Sequence, residues 1–232
     1  MRNKNIFHFF CVISFFGTAF LLTSCYSVSK AEKSGYDAFR ESRPVSILIL
    51  PPINNSVEID APNIILASAV KPLAESGYYV VPVTVSQQMF MQNGIQTAFD
   101  AHTVNYSKLR EIFGADAALY LTINQFGTSF QLIRSVVQVS VSARLVDLKN
   151  GTTIWLDDIY YEEEPSQSNT NPGGSLAVQL IAAVASAVVD QVVNTLSNAP
   201  YTVGSNAMGI FLNAEQSKSI LYGPYNPQYQ TD

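Results

Sequence analysis

Side chains that could perform catalysis are sparse in this 232-residue chain. Its two histidines are His8, which lies in an apolar leader, and His102, which lies in a predicted loop. A histidine-dependent triad would have to use His102, but no Gly-x-Ser-x-Gly elbow accompanies it. Phosphate-binding glycine loops and clustered cysteine and histidine ligands for zinc are also missing from the sequence. We therefore predict a protein that is not an enzyme and that holds no cofactor or metal.

The surroundings of Cys25 indicate a chemical modification. Arg2 and Lys4 precede an apolar run at 6–22, which is the layout of a secretory signal peptide. A retained transmembrane helix is the alternative, because this run approaches the roughly 20 residues that span a bilayer. The tetrapeptide LTSC at 22–25 favours the signal peptide, since it resembles the bacterial lipobox, whose cysteine is acylated and becomes the first residue of the mature chain. Two or more acyl chains, such as palmitate, would make attachment through Cys25 stable.

The residue after Cys25 predicts which membrane holds the protein. In similar lipoproteins an Asp at this position causes retention in the inner membrane, whereas here the residue is Tyr26. The prediction is an outer-membrane anchor that faces the periplasm of a Gram-negative cell. Removing the signal peptide, 1–24, leaves 208 residues, and the loss of Arg2 and Lys4 changes the formal charge from −5 to −7. So acidic a chain disfavours nucleic acid as a partner, because phosphate contacts need clustered Lys and Arg.

The spacing of apolar residues predicts alternating strands and helices in the first half of the mature chain. A polar tether at 25–43 leads into predicted strands at 44–52, 78–85 and 116–126, and into predicted helices at 60–77, 86–93 and 105–114. Asp60 should cap the first helix, Pro72 should kink or split it, and Pro82 is unusual in a strand. This order of elements implies parallel strands joined by crossovers.

The second half of the mature chain predicts an antiparallel hairpin. Residues 129–148 alternate between apolar and polar types, Asn150-Gly151 is a strong hairpin-turn signal, and 152–164 should return beside the first strand. We therefore predict the α/β class, with a single domain at 44–198. Its mixed sheet should have about five strands, parallel in the first half and antiparallel in the second, with flanking helices. A tail rich in Tyr and Pro follows at 199–232.

Five carboxylates lie close together at the end of the returning strand: Asp157, Asp158, Glu162, Glu163 and Glu164. Their spacing does not match a calcium-binding EF-hand loop. One interpretation is a solvated strand end whose charge discourages edge-to-edge pairing with another chain. The other interpretation is a docking surface for a basic partner. The sequence leaves both open.

Residues 175–198 predict a long and almost uncharged helix. About 21 helical residues span about 32 Å, which could cross a bilayer. However, the polar residues form one narrow stripe that includes Asp190, and an Asp inside a membrane is costly. We therefore predict an amphipathic helix with an apolar arc that includes Val184, Val188 and Val192. Part of this arc should cover the sheet, and the surplus should meet a second copy of the chain in a homo-oligomer; coverage by the tail is the alternative.

The segment LYGPYNPQY at 221–229 offers another possible contact surface. Its prolines hold the backbone extended, and Tyr222, Tyr225 and Tyr229 present apolar rings with polar tips. The segment could fold back over the core or dock into a partner, and the sequence does not choose.

Several segments occur in an order that resembles one family of bacterial lipoproteins. They are the lipobox, SILILPPINNS at 46–56, ESGYYVVPV at 75–83, FGADAALYLTI at 113–123, LVDLKNGTTIW at 145–155 and YGPYNPQY at 222–229. The members are uncharacterised lipoproteins and include a meningococcal vaccine-candidate antigen. The resemblance implies a fold like the amino-terminal domain of TolB, channel-like lipoproteins of the curli-secretion type as partners, and an accessory role in trans-envelope transport. It transfers no catalytic residue to this chain.

Three functional hypotheses follow from these observations. The leading one is a periplasm-facing outer-membrane lipoprotein that acts as an accessory or structural component of a trans-envelope secretion assembly, through contacts with a channel-like lipoprotein and with copies of itself. The alternative is a small-ligand or glycan-binding lipoprotein that uses Asn54 and Asn55, at the end of the first strand, where open α/β sheets often bind ligands. An envelope hydrolase is a third hypothesis, but it lacks a recognisable nucleophile and base.

Overall fold

The computed structural model describes residues 35–130, 135–163 and 200–231. Six strands in these ranges form one sheet: β1 (Ser46–Ile49), β2 (Ile53–Asn54), β3 (Tyr79–Val80), β4 (Ala117–Phe130), β5 (Ser135–Asp147) and β6 (Thr153–Glu163). The order across the sheet is β3-β1-β4-β5-β6, and β2 pairs with β4. The pairs made by β1 and β2 are parallel, and the β4–β5 and β5–β6 pairs are antiparallel. The predicted α/β class and the mixed sheet are therefore confirmed.

The helices are α1 (Asp37–Ser42), α2 (Ala61–Glu75), α3 (Val83–Gln92), α4 (Ala98–Thr103) and α5 (Tyr106–Phe113), and residues 200–211 are helical and labelled α6. The predicted strand 78–85 is wrong beyond its first residues, because β3 ends at Val80 and Pro82 is the N-cap of α3. Proline has no N–H to donate to a sheet, and its fixed φ suits the start of a helix.

The helix that follows β2 is continuous through its proline. Asp60 occupies the N-cap position of α2 as predicted, although its side chain makes no capping hydrogen bond. Pro72 lies inside α2 without splitting it, and the helix ends three residues later at Glu75. Because proline lacks an N–H, the carbonyl of Ser68 has no helical donor at that position. The cost is limited because the helix ends only three residues after Pro72.

Residues around His102 are helical, and the loop predicted there is wrong. Thr97 caps α4 by accepting a hydrogen bond from the Asp100 N–H at 3.1 Å, a local signal that apolar spacing alone does not reveal. The next helix, α5, begins and ends as predicted. Asn105 accepts from the Ser107 N–H at 2.9 Å at its start, and Gly114 adopts the left-handed conformation at its end.

The β4–β5 hairpin forms most of the sheet and confirms the predicted alternation. The apolar residues of β5 are buried in the main core: Val137, Val139, Val141, Ala143 and Leu145. On β4, the register shifts between Ile123 and Gln125, so that Asn124 is an extra residue and both Ile123 and Phe126 face the main core. The turn between β5 and β6 also forms where predicted, with Gly151 at a positive φ of 78°.

Helices cover the sheet on both faces. On one face, α1, α2 and α6 contribute Phe39, Ile65 and Phe211 to the larger core cluster. On the other face, α3, α4 and α5 contribute Phe90, Ala101 and Leu109 to a smaller cluster that packs mainly on β1 and β4. Within the described ranges, no helix is both long and apolar enough to cross a bilayer.

The sequence analysis missed helix α6, because two glycines interrupt its apolar spacing. Gly204 is required by packing, since a Cβ there would lie 2.8 Å from a methyl carbon of Ile64. Because Gly204 has no Cβ, α6 can approach α2 and the ring of Phe126 closely. Val203 and Ala207 are buried and lie about one helical turn apart. Their spacing was the sequence signal that could have predicted this helix.

The main core extends beyond the predicted limits of 44 and 198. Phe39, in the segment predicted as a tether, is 3% exposed. After α6, the tail folds back, and Ile220 and Leu221 are buried in the same core cluster. The tail therefore belongs to the domain, which resolves one of the alternatives that the sequence left open.

We expect Gly77→Ala to destabilise the protein more than Gly94→Ala. Both glycines have positive φ, 95° and 79°, so each substitution should cost about 1–2 kcal/mol in backbone strain. A Cβ at Gly77 would also lie 2.4 Å from the backbone nitrogen of Asn226, whereas nothing lies within 4 Å at Gly94. Urea denaturation of the non-acylated mature chain should show a loss of about 3 kcal/mol or more for Gly77→Ala. Equal losses for the two variants would mean that the tail is not seated against Gly77.

Candidate functional site

Asn54, predicted to contact a ligand, uses its side chain to brace the loop that follows β2. Its Nδ2 donates to the Glu58 carbonyl at 2.8 Å, and its Oδ1 accepts from the Ser56 N–H at 3.0 Å and the Ser56 hydroxyl at 2.7 Å. Asn55 is exposed, and its N–H donates to the Ile123 carbonyl at 2.9 Å. The amide of Asn54 is thus committed to its own loop, so the geometry gives no support to a ligand site at this residue.

The braced loop exposes two large aliphatic side chains. Val57 is 96% exposed and Ile59 is 87% exposed, the two highest values among the large hydrophobic residues described. The hydrogen bonds of Asn54 hold the backbone on both sides of Val57. The loop therefore presents apolar side chains to solvent from a defined backbone conformation, and the sequence analysis did not single these residues out.

His102 lies at a seam between α4 and the sheet. Its Nε2 is 3.0 Å from the carbonyl oxygen of Pro51, so this nitrogen must carry the proton, and its ring meets Tyr120 edge-on at 5.1 Å. The guanidinium of Arg144 stacks on Tyr120 at 4.5 Å from the ring centre. Burial lowers the pKa of His102 and the nearby Arg144 charge lowers it further, although the bond to Pro51 raises it. This is the environment of a neutral, structural histidine.

No metal site accompanies these residues. Across the described ranges, the structure contains no group of three or more His, Cys, Asp or Glu side chains arranged to hold a metal ion.

The tyrosine beside His102 also has a shifted pKa, because burial raises the pKa of Tyr120. The hydroxyl of this tyrosine therefore stays protonated near neutral pH, as the His102 ring stays uncharged.

The acidic strand β6 lies at the edge of the sheet. Its residues Asp157, Asp158, Glu162 and Glu163 follow one another toward the far end of the strand. Charge that discourages edge-to-edge pairing is useful only on an edge strand, so the position of β6 agrees with that interpretation. Glu163 accepts a hydrogen bond from the Asn206 side chain at 3.0 Å, which ties the end of the strand to α6. Glu164 lies outside the described residues.

A cleft of about 430 Å³ lies between α1 and the folded-back tail. Among the described residues, its apolar wall includes Phe39, Pro44, Tyr78, Leu221 and Tyr222. Arg40 and Arg43 on one side, and Tyr229 on the other, form its polar rim together with Gln230 and Thr231. Clefts of this size, with an apolar wall and a few polar groups, are the usual form of small-ligand sites. The sequence analysis missed the cleft because α1 was assigned to the tether.

The three predicted tail tyrosines have different environments. Tyr222 is 5% exposed and belongs to the core, so it is not available as a partner surface, which corrects that prediction. Tyr225 is 70% exposed, and Tyr229 lines the cleft. The other predicted site residues, Cys25 and the apolar arc of Val184, Val188 and Val192, lie outside the described residues.

The fold and the lipobox together define a class: small α/β lipoproteins with a mixed sheet. Residues 34–225 match the family model described as "Putative lipoprotein GNA1162-like". The chain therefore belongs to the GNA1162-like lipoprotein family, and the resemblance given by the sequence is confirmed.

Two relatives from Neisseria meningitidis agree with this assignment. The chain is 41% identical over 206 residues to "Putative lipoprotein NMB1124/NMB1162" of serogroup B strain ATCC BAA-335 / MC58. The aligned region covers 89% of this chain and 92% of the relative. It also matches the crystal structure of lipoprotein GNA1162 with 42% identity and a TM-score of 0.50. That match covers 65% of this chain and 99% of the solved one.

We expect His102 to make the folded protein sensitive to mild acid. Its pKa is lowered in the folded state from 6.5, so the unfolded chain binds a proton at a higher pH than the folded one. The free energy of unfolding should therefore fall as the pH drops through 6.5, and the loss should level off below the folded pKa. His102→Gln keeps an N–H donor for Pro51 without titrating. Urea denaturation between pH 7.5 and 5 should show a shallower loss for this variant; equal pH dependence in both proteins would contradict the expectation.

Proposed function

We propose that this protein is an outer-membrane lipoprotein that faces the periplasm and serves as an accessory component of a trans-envelope secretion or transport assembly. Membership in a lipoprotein family and the lipobox at 22–25 support the anchor on Cys25. Two or more acyl chains at one residue give effectively permanent attachment. The working contacts in this proposal are with proteins: a channel-like envelope lipoprotein, and further copies of the chain through the apolar arc that includes Val188.

The exposed loop with Val57 and Ile59 carries the proposal of a protein contact. Burying one such side chain contributes about 1.5–3 kcal/mol, so a partner that covers both would gain binding free energy from them. The bracing by Asn54 means that little loop entropy is lost on binding. Loops held on a rigid scaffold are common positions for recognition residues.

The position of this loop relative to the tether also suits a contact directed away from the membrane. The tether leads through α1 into the first residue of β1, and the loop begins after the last residue of β2. Since β1 and β2 both run parallel to β4, the loop lies at the opposite end of the sheet from the tether. At about 3.3 Å per residue, the two ends are separated by roughly 25 Å. A lipid-anchored chain would thus present Val57 and Ile59 to the periplasm.

The lipid anchor is tested by processing and mass. The wild-type product should begin at Cys25 and carry added acyl mass, and globomycin should cause the precursor to accumulate. Cys25→Ser should abolish acylation, whereas Cys11→Ser, which alters the signal peptide alone, should leave the acylated product intact. Intact mass spectrometry and membrane fractionation measure both. A free thiol on the mature wild-type chain would overturn the anchor.

The partner contact is tested at the braced loop. Val57→Ser combined with Ile59→Ser should leave the melting temperature almost unchanged, because both side chains are exposed, but should remove the envelope protein that crosslinks to a photoreactive residue at position 55. Val85→Ser combined with Phe99→Ser is the matched control, since these residues are 51% and 67% exposed on α3 and α4. The control should retain the crosslink. Loss of the crosslink in both variants, or in neither, would contradict a specific contact at this loop.

A further inference from the structure

A second cavity, of about 350 Å³, lies between α2 and α6. The two helices are joined beyond both of its ends. At one end, Gly204 lets α6 approach Ile64 closely. At the other end, the Ser76 hydroxyl donates to the Leu212 carbonyl at 3.3 Å and accepts from the Ala214 N–H at 2.9 Å. The cavity therefore has the size of a small-ligand site, and its walls are fixed before a ligand binds.

Hydroxyl and amide side chains line this cavity from both helices. Among the described residues they are Ser68 of α2, Tyr161 of β6, Ser205 and Asn206 of α6, and Asn213 just beyond α6. A hydroxyl both donates and accepts hydrogen bonds, and an amide side chain carries donors on its nitrogen and an acceptor on its oxygen. A ligand that fills the cavity therefore needs donors and acceptors of its own.

The hydroxyl of Ser68 is buried without a hydrogen bond. No described residue is bonded to its oxygen, and the residue as a whole is 6% exposed. A buried polar group without a partner destabilises a fold, so each such group requires an explanation. The carbonyl of Ser68 also lacks its helical donor, because Pro72 has no N–H. A hydroxyl-bearing ligand in the cavity would supply partners to this residue.

Gly209 leaves the cavity open on the α6 side. It lies within the helix, where glycine is less favourable than alanine, and it lines the cavity. Close packing explains Gly204, but no described atom lies within 4 Å of the position that a Cβ would take at Gly209. Helix packing therefore does not account for this glycine, whereas a cavity that admits a ligand does.

The two asparagines are held in place by bonds that use only part of each amide. Asn206 Nδ2 donates to the Glu163 carboxylate at 3.0 Å, and Asn213 Oδ1 accepts from the Glu215 N–H at 2.9 Å. Among the contacts of the described residues, none uses the Asn206 Oδ1 or the Asn213 Nδ2. One acceptor and one donor nitrogen therefore remain for a ligand, on side chains that are already oriented.

Charge does not select the ligand of this cavity. Among the described residues that line it, the charged ones are Lys71 and Glu75. Their charges are opposite, with 3.7 Å between Lys71 Nζ and Glu75 Oε1. An anion would need mainly donors and a cation mainly acceptors, whereas the hydroxyls and amides provide both. The lining therefore favours a neutral ligand whose groups donate and accept, as the hydroxyls of a sugar do.

We propose that the cavity between α2 and α6 binds a neutral saccharide. Sugar hydroxyls pair with Ser68, Ser205 and the two asparagine amides, and Tyr161 adds aromatic surface for the C–H groups of the sugar ring. An extended peptide fits less well, because capture by strand addition needs an open sheet edge and these walls are helices. The site is additional to the proposed protein contacts and does not depend on them.

Titration of the mature chain carrying Cys25→Ser with chitotetraose and with maltotetraose, followed by ligand-observed NMR, tests the proposal. At least one sugar should bind, and the pair distinguishes N-acetylated glycans from unmodified hexose chains. The affinity should not change with NaCl concentration, because no charged group of the ligand is involved. Binding of neither sugar, or of the peptide tetra-alanine in their place, would overturn the proposal. The acyl mass and the loop crosslink would be unaffected by that result.

Gly209→Leu fills the cavity without changing a hydrogen-bonding side chain. Leucine is a better helix former than glycine, and the space around the glycine is open, so the melting temperature should stay the same or rise. Sugar binding should be lost, because the added side chain occupies the ligand volume. Retained binding in this folded variant would exclude the cavity as the binding site.

Ser68→Ala and Ser86→Ala form a matched pair. Ser86 is also a buried helical serine, but its hydroxyl donates to the Val83 carbonyl at 3.0 Å. Ser68→Ala should raise the melting temperature, because it removes an unpaired buried hydroxyl, and should weaken sugar binding about threefold to tenfold. Ser86→Ala should lower the melting temperature and leave binding unchanged. Equal affinity in the two variants would exclude the Ser68 hydroxyl as a ligand contact.

Discussion

The domain depends on the contact between the turn after α2 and the folded-back tail. The Gly223 N–H donates to the Ser76 carbonyl at 2.8 Å, and the Tyr225 N–H donates to the Gly77 carbonyl at 3.0 Å. A Cβ at Gly223 would lie 2.3 Å from the Gly77 oxygen, so only backbone without side chains allows this approach. The hydroxyl of Tyr78 adds a bond of 2.7 Å to the Leu221 carbonyl. Together these contacts close the larger core, because they place the apolar part of the tail over the sheet.

The same contact also shapes the cleft beside α1. By folding back, the tail supplies Leu221 and Tyr229 to the cleft beside α1, and Tyr222 becomes part of the core. The tether enters on this side, whereas the loop with Val57 and Ile59 lies at the other end of β1 and β2. The described residues build no metal cluster.

Local patterns predicted the elements whose signals lie within a few residues. Alternation identified β5, the Asn150-Gly151 pair identified its turn, and Asn105 with Gly114 identified α5, because each signal concerns the backbone hydrogen bonds of its own segment. Prediction failed where two local signals competed. The branched residues after Pro82 favoured a strand. In the structure, Pro82 instead follows the end of β3 and is the N-cap of α3.

The sequence by itself determined the α/β class, the antiparallel half of the sheet and the lipobox ending at Cys25, since periodicity and short motifs act locally along the chain. Tertiary structure alone decided that Tyr222 is buried, that Asn54 braces a loop, and that a cleft forms beside α1. These features join segments far apart in the chain or depend on exact backbone geometry. The bond from Tyr78 to Leu221 spans 143 residues, and no short-range pattern records such a pairing.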